Sequence, residues 1–417
     1  MGKTFIADKE TLDKCYDILS ADGVYGFIEH NAILSPSQRI EYIGMNKGFT
    51  PLTVTMGGGF SLGGWADFPV LKNNKPWMVK NDGTPDYELL ATDYTKKAVD
   101  GTTASDVANT SYAGGAFSWL QKIYKKEYMS GDDRYVLFSL TKKEGFEPVG
   151  FVDSSDKELE GVWLPMFYNT DGTTKATCIG TGQPEYSNGT AAQKTAIDAF
   201  GSRAKFFGGA IINTIVDLLI MFAKTTDLQG AYGKGNQDGY DSTASPTYGV
   251  KANAVIGGGQ FYGTSDGKSL NKIFHSIVLG SYQQWMRDPY TACVSGKLYV
   301  SKNYTYDIST PGSTYQPAGI DYTQVGDTSW HYPHKYVTVP GFGAVPSLPP
   351  YNGSTVLGGC DGFIVNAGIT AVGLRFGACS AGAADGVRAL DLYSAATDAG
   401  WSLGSAVLLL PPVGVAA

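Results

Sequence analysis

The stretch Gly359-Cys-Asp-Gly-Phe-Ile-Val-Asn-Ala-Gly-Ile-Thr-Ala-Val-Gly-Leu-Arg-Phe376-Gly-Ala-Cys-Ser-Ala-Gly-Ala-Ala384-Asp-Gly-Val-Arg-Ala-Leu-Asp-Leu392-Tyr-Ser-Ala-Ala-Thr-Asp-Ala-Gly400-Trp-Ser-Leu-Gly-Ser-Ala-Val-Leu-Leu-Leu410-Pro-Pro412 is the most informative part of the chain. Residues 372–376 and 405–410 are strand-like, and 387–392 alternates around a third strand. Small and polar residues on glycine-rich loops lie between them. Three short strands holding exposed loops make a rigid frame with a replaceable surface.

Upstream, residues 204–225 are apolar nearly all round, the pattern of a core helix, and 190–202 read as an amphipathic helix. A further helix is expected over 113–128 and a strand over 134–140. Residues 162–168 read as a buried strand that Pro165 would place at a sheet edge or bulge. Asn81-Asp82-Gly83 and Ser130-Gly131-Asp132-Asp133 are turns. Residues 49–66, rich in Gly and Thr, read as a strand followed by a linker. They mark a boundary between an N-terminal attachment or oligomerisation region, 1–65, and a larger unit, 66–417. Within the first region a short helix is expected over 9–19, with Asp8 or Thr11 as N-cap. From residue 230 onward the pattern is short strands and loops, with no repeat of fixed period. The expected class is α+β, a few helices against irregular β-structure.

At 417 residues the chain can build a sizeable core. Its 54 glycines are nearly twice the usual share of about 7%. Such a chain turns often. The 26 tyrosines with only 17% charged residues suit a protein that works by surface contact, because tyrosine offers rigid amphipathic area. The same composition also fits a loop-rich fold with ordinary aromatic packing. The net charge of −7, and no basic cluster beyond Lys122, Lys125 and Lys126, argue against nucleic acid as a partner. Cys15, Cys178, Cys293, Cys360 and Cys379 are widely spaced, which indicates thiols rather than a disulfide framework or zinc site. The N-terminus has no secretory pattern. The apolar run 206–223 contains Asn213, Thr214 and Asp217, so it reads as a buried helix and no membrane insertion is expected. Synthesis in the cytoplasm and release by lysis follow as the expected route.

Catalytic signatures are weak. His331-Tyr-Pro-His334 has metal-ligand spacing, but Pro333 breaks any helix and no third ligand is evident. Gly57-Gly58-Gly59 and Gly257-Gly258-Gly259 lack the lysine-serine ending of a phosphate loop. No Gly-x-Ser-x-Gly elbow has a plausible histidine partner. Carboxylate pairs for glycoside hydrolysis stay open, because 39 acidic residues are present and sequence does not give their separations. No cofactor is expected.

The C-terminal segment resembles the variable region of proteins diversified by retroelements, including phage tropism determinants. The matching frame is Gly377, Gly382, Gly386, Leu390, Leu392, Trp401 and Gly404. The positions where that family carries mutable codons hold Ala378, Ser380, Ala381, Ala384, Asp391, Tyr393, Ser394, Asp398, Gly400 and Ser402. Each is reachable from an asparagine codon by changes at adenine alone. Phe376 and Cys379 depart from the pattern, standing where the family often has glycine and an aromatic residue. Gly280-Ser-Tyr-Gln-Gln-Trp285 looks like a signature of the formylglycine-generating-enzyme type of C-type lectin fold, and the 204–225 helix sits where that fold has its core helix. Residues 33–44 and the stretch around Phe342 resemble gut-phage tail proteins.

The resemblance implies a C-type lectin-like domain with insertions and a variable region of about 372–404. It implies a phage tail adhesin, located in the virion, that binds a host-surface glycan or protein. Other tail proteins and a homotrimer are the implied partners. The ten positions would form one shallow solvent-facing patch, with Tyr393 as anchor, Asp391 and Asp398 as acceptors, and Trp401 in the frame. The cysteine pair of the enzyme branch is not recognisable in Cys360 and Cys379, nor is a lectin calcium motif visible. An envelope-polysaccharide-degrading tail enzyme and a purely structural baseplate subunit are the alternatives.

Overall fold

The helix Ala210–Ala223 is the hub of the packing. In the computed structural model, which describes residues 23–307, 314–347 and 353–417, every residue from Ala210 to Phe222 is buried. The expected helix over 9–19 lies outside the described residues. The core helix starts later than its apolar run, because Ala204–Phe206 forms a strand and Gly208-Gly209 follow it. Among the described residues strands far outnumber helices, so the fold is β-rich with few helices.

Three larger sheets and two two-stranded ones, Thr53–Val54 with Phe60–Ser61 and Tyr336–Val339 with Gly343–Pro346, make up the β-structure of the described residues. The first runs Ile40–Gly44, Val24–His30, Asp133–Ser139, Tyr124–Ser130, all antiparallel. The second runs Ala204–Phe206, Val407–Leu409, Gly161–Pro165, Gly114–Gln121, Pro76–Lys80, Pro85–Leu90, Asp93–Lys97. The third runs Gln316–Asp321, Lys297–Val300, Trp285–Val294, Thr370–Phe376, Gly386–Leu392, Phe363–Val365, with Leu403–Gly404 added parallel to Trp285 and Met286.

The helix expected over 113–128 is instead two strands, Gly114–Gln121 and Tyr124–Ser130. The first is buried on both faces, so its apolar run lacks the alternation that marks a half-buried strand. Pro165 is not at a sheet edge: it ends an interior strand, whose outer neighbour Val407–Leu409 pairs with it only at Trp163. The missing N–H therefore falls beyond the ladder. The helix Thr190–Phe200 and the strand Asp133–Ser139 lie where the sequence places them.

Packing continues across residue 65. Val24–His30 pairs with Asp133–Ser139, the Leu52 N–H donates to the Phe222 carbonyl at 2.8 Å, and Trp65 is fully buried in the main core. The described part of the expected N-terminal region is thus continuous with the rest.

A buried charge network ties the first sheet to the hub and to the C-terminal hairpin. Asp217, mid-helix, accepts from Arg134 at 2.6 Å and faces the Lys125 ammonium at 2.6 Å. Glu29 accepts from Arg39, Arg134 and Arg388 at 2.9–3.0 Å. All of these side chains are buried. Arg388 also lies over the Tyr336 ring, 3.2 Å from its centroid.

Candidate ligand-binding surface

The hairpin Thr370–Phe376 and Gly386–Leu392 is the frame of the C-terminal segment. Val372–Phe376 and Gly386–Leu392 are buried throughout, which fixes the strands while their connections remain free to vary. Phe376 has φ +78, the left-handed region where glycine is unstrained, and its ring packs 5.9 Å from Phe207. The resembled family often has glycine there, and the phenylalanine is held by core packing.

The ten expected contact positions do not form one patch. Ala378, Ala384 and Asp391 are buried, at 1%, 4% and 8% exposure. Ala378 packs with Trp285, Leu374, Ala389 and Leu403, so a larger side chain there would displace the strands. The accessible positions lie on two loops beside the hairpin, 377–385 and 393–402. Ser380 and Ala381 lie on the loop after Phe376, and Gly400 and Ser402 are brought beside it by Leu403–Gly404. Tyr393, Ser394 and Asp398 lie by the start of the strand Thr370–Phe376, where the Val372 N–H donates to the Ser394 carbonyl. Seven residues of strand separate Ser380 and Ala381 from Tyr393, about 20 Å at ~3.3 Å per residue, and the loop 393–402 runs from one end to the other.

Asp391 and Asp398 are engaged within the protein. Asp391 accepts the Tyr393 N–H at 2.7 Å, and Asp398 accepts the Ala395 N–H at 2.9 Å. Arg287 donates to the Asp398 carbonyl at 2.8 Å and fastens this loop to the long strand. Burial pushes the Asp391 carboxyl up to about 6. Its folded value lies above the unfolded one, so ionisation opposes folding, fully so above pH 6 and not at all below about 3.8. Asp391→Asn is expected to raise Tm at pH 8 and leave it unchanged at pH 3. An equal shift at both values in a pH series of melts would contradict this account.

The sequence reading missed an aromatic cluster beside the first group. Tyr240 and Tyr248 stack at 6.2 Å with an interplanar angle of 13°, and Trp401 lies 5.5 Å from each. Tyr240 is 48% exposed, and Tyr248 and Trp401 are half-buried. The Tyr240 N–H donates to the Cys379 carbonyl at 2.8 Å, and the Cys379 thiol donates to the Tyr248 carbonyl at 3.5 Å. Trp401 thus belongs to the accessible surface as well as to the frame. No local signal joins 240 and 248 to 401; only the fold does.

Burial pushes the Cys360 and Cys379 thiols up to about 12, so neither is a thiolate near neutrality. His331 faces Asp327 at 3.1 Å, and the described residues hold no group of three or more His, Cys, Asp or Glu placed to bind a metal. Among the described residues no helix is long and apolar enough to cross a membrane. No protein-family model matches the chain, and no curated protein sequence matches it.

Proposed function

We propose that this chain is a phage tail adhesin, a receptor-binding protein that recognises a host-surface ligand through its C-terminal loops. One observation carries the reading. A buried hairpin presents small, accessible residues, Ser380, Ala381, Gly400 and Ser402, beside the ring faces of Tyr240, Tyr248 and Trp401. Flat aromatic faces next to hydroxyl and main-chain groups suit a sugar ring, which is C–H on its faces and hydroxyl at its rim. The fold on this reading is the C-type lectin-like type with insertions, the segment around 372–404 is diversified by a retroelement, and tail attachment with trimeric assembly turns weak single sites into avidity.

The test is deep sequencing of codons 372–404 across a phage population. Diversity at Ser380, Ala381, Gly400 and Ser402, with Ala378 and Ala384 restricted to small residues by their burial, is the expected result. Invariance across the segment, or variation spread evenly over buried and accessible codons, would reject diversification of this surface.

A further inference from the structure

A cleft of about 230 Å³ opens between the helix Thr190–Phe200, the edge strand Ala204–Phe206 and residues 304–306. None of the ten expected contact positions lines it. In the strand, Ala204 and Phe206 are buried, and Lys205 between them is half-buried with its side chain on the cleft. Lys194 and Asp198 reach it from the helix, and Ser154, Thr305 and Tyr306 complete its polar rim. At about 30 Å³ of liquid volume per molecule, the space equals about eight waters, enough for one sugar residue.

Lys205 lacks a counter-ion here. Its ammonium makes no ion pair and no hydrogen bond among the described residues. The neighbouring cations are engaged. Lys194 pairs with Asp198 and lies 6.0 Å over the Tyr306 ring, and Arg203 donates to the carbonyls of Leu410 and Pro411. Burial holds the Lys205 ammonium below the ordinary lysine range; Asp198 and Asp153 oppose this, and Lys194 and Arg203 add to it. A half-desolvated cation of this kind gains from an incoming anion, because the hydrogen bond it then makes is charge-assisted. The Ser154 hydroxyl is also unpartnered among the described residues, and the Thr305 hydroxyl donates to Asn303 at 2.6 Å with its lone pairs left to accept. Tyr306 supplies a half-buried ring, braced edge-on by Phe206 at 5.6 Å.

One unpaired cation among the described lining residues matches one negative charge. A carboxylate carries that charge, whereas a phosphate monoester carries about 1.5–2 near neutrality. A few placed polar groups over an aromatic wall are the ordinary make-up of a small-molecule site. We infer that this cleft binds an acidic sugar, its carboxylate on Lys205, its ring hydroxyls toward Ser154 and Thr305, and its C–H face on the Tyr306 ring. The site is built on the helix and the edge strand, not on the C-terminal loops, so the inference does not rest on the adhesin reading.

The experiment titrates the full chain against sodium glucuronate, glucose and inorganic phosphate, followed by NMR of the ligand. Glucuronate is expected to bind with a Kd of about 1 mM, at the ordinary efficiency per atom of a small ligand. Glucose and phosphate should each bind at least about tenfold more weakly. Lys205→Met keeps the aliphatic stem and removes the charge, and it should weaken glucuronate at least about tenfold, the cost of a lost charged hydrogen bond. Lys47→Met, at an exposed lysine on another sheet, should leave the affinity unchanged. Equal affinity for glucuronate and glucose, or for glucuronate and phosphate, would overturn the inference. So would binding that survives Lys205→Met, and loss of that binding in Trp401→Ala instead would move the sugar to the C-terminal loops. Should Lys205→Met fail to fold, Lys205→Gln and the preference of the unsubstituted chain for glucuronate over glucose decide the matter.

Discussion

Replacing Glu29 with alanine should destabilise the fold by about 3–5 kcal/mol, the range for removing one partner of a buried ion pair. Three guanidiniums converge on this carboxylate. Arg134 keeps Asp217, and Arg39 keeps the Ile33 and His334 carbonyls and the Asn31 side chain. Arg388 is left with the Tyr336 ring and the neighbouring Asp361 carboxyl, which burial pushes up to about 7 and so leaves a weak counter-charge. The variant therefore places a buried positive charge inside the hairpin that carries the candidate surface. Burial alone would raise the Glu29 carboxyl, but Arg388, Arg134 and Arg39 outweigh it and hold it well below the usual carboxylate range. A depressed folded value contributes stability above the unfolded value near 4.5 and loses it as the pH falls below that. The gap between wild type and Glu29→Ala should accordingly narrow in acid. Urea unfolding at pH 7 and pH 3.5 measures it; a loss under about 1 kcal/mol at pH 7 would mean that the arginines rearrange freely, against the buried-pair rule.

The second large effect concerns recognition. Trp401→Ala should weaken binding to host cells or isolated envelope by about 2 kcal/mol or more, roughly 30-fold in Kd. Its ring borders both tyrosines and stands between two accessible small positions, Gly400 and Ser402. Tyr393→Ala, at the other end of the hairpin, should change affinity less than about threefold, a near-neutral contact. The opposite ranking in a surface-binding titration would move the ligand to the Tyr393 end. No binding by the intact chain would remove the adhesin reading altogether.

The strands of the C-terminal segment were legible in the sequence because their apolar residues recur between glycine-rich breaks, and the core helix because its apolar character has no polar face to interrupt it. The strand Gly114–Gln121 was not, since full burial erases alternation and leaves helix and strand alike in pattern. Part of the candidate surface was legible too: Ser380, Ala381, Gly400 and Ser402 are accessible and close together. Asp391 and Ala378 look like surface residues only until the register sets them inward. Tyr240 and Tyr248 reach Trp401 across some 150 residues of chain, through the Cys379 carbonyl, and no local pattern encodes a contact of that kind.

The strand Val407–Leu409 is seated between Gly161–Pro165 and Ala204–Phe206, in the interior of a sheet whose other members are made far earlier. During synthesis those neighbours emerge from the ribosome with their facing edges bare and must wait for it. A message cut short before codon 407 would yield a protein with two open strand edges, prone to pair with other chains. The native sheet closes only around a translation product that has run through to this strand, so a truncated chain is expected to show increased aggregation and protease sensitivity.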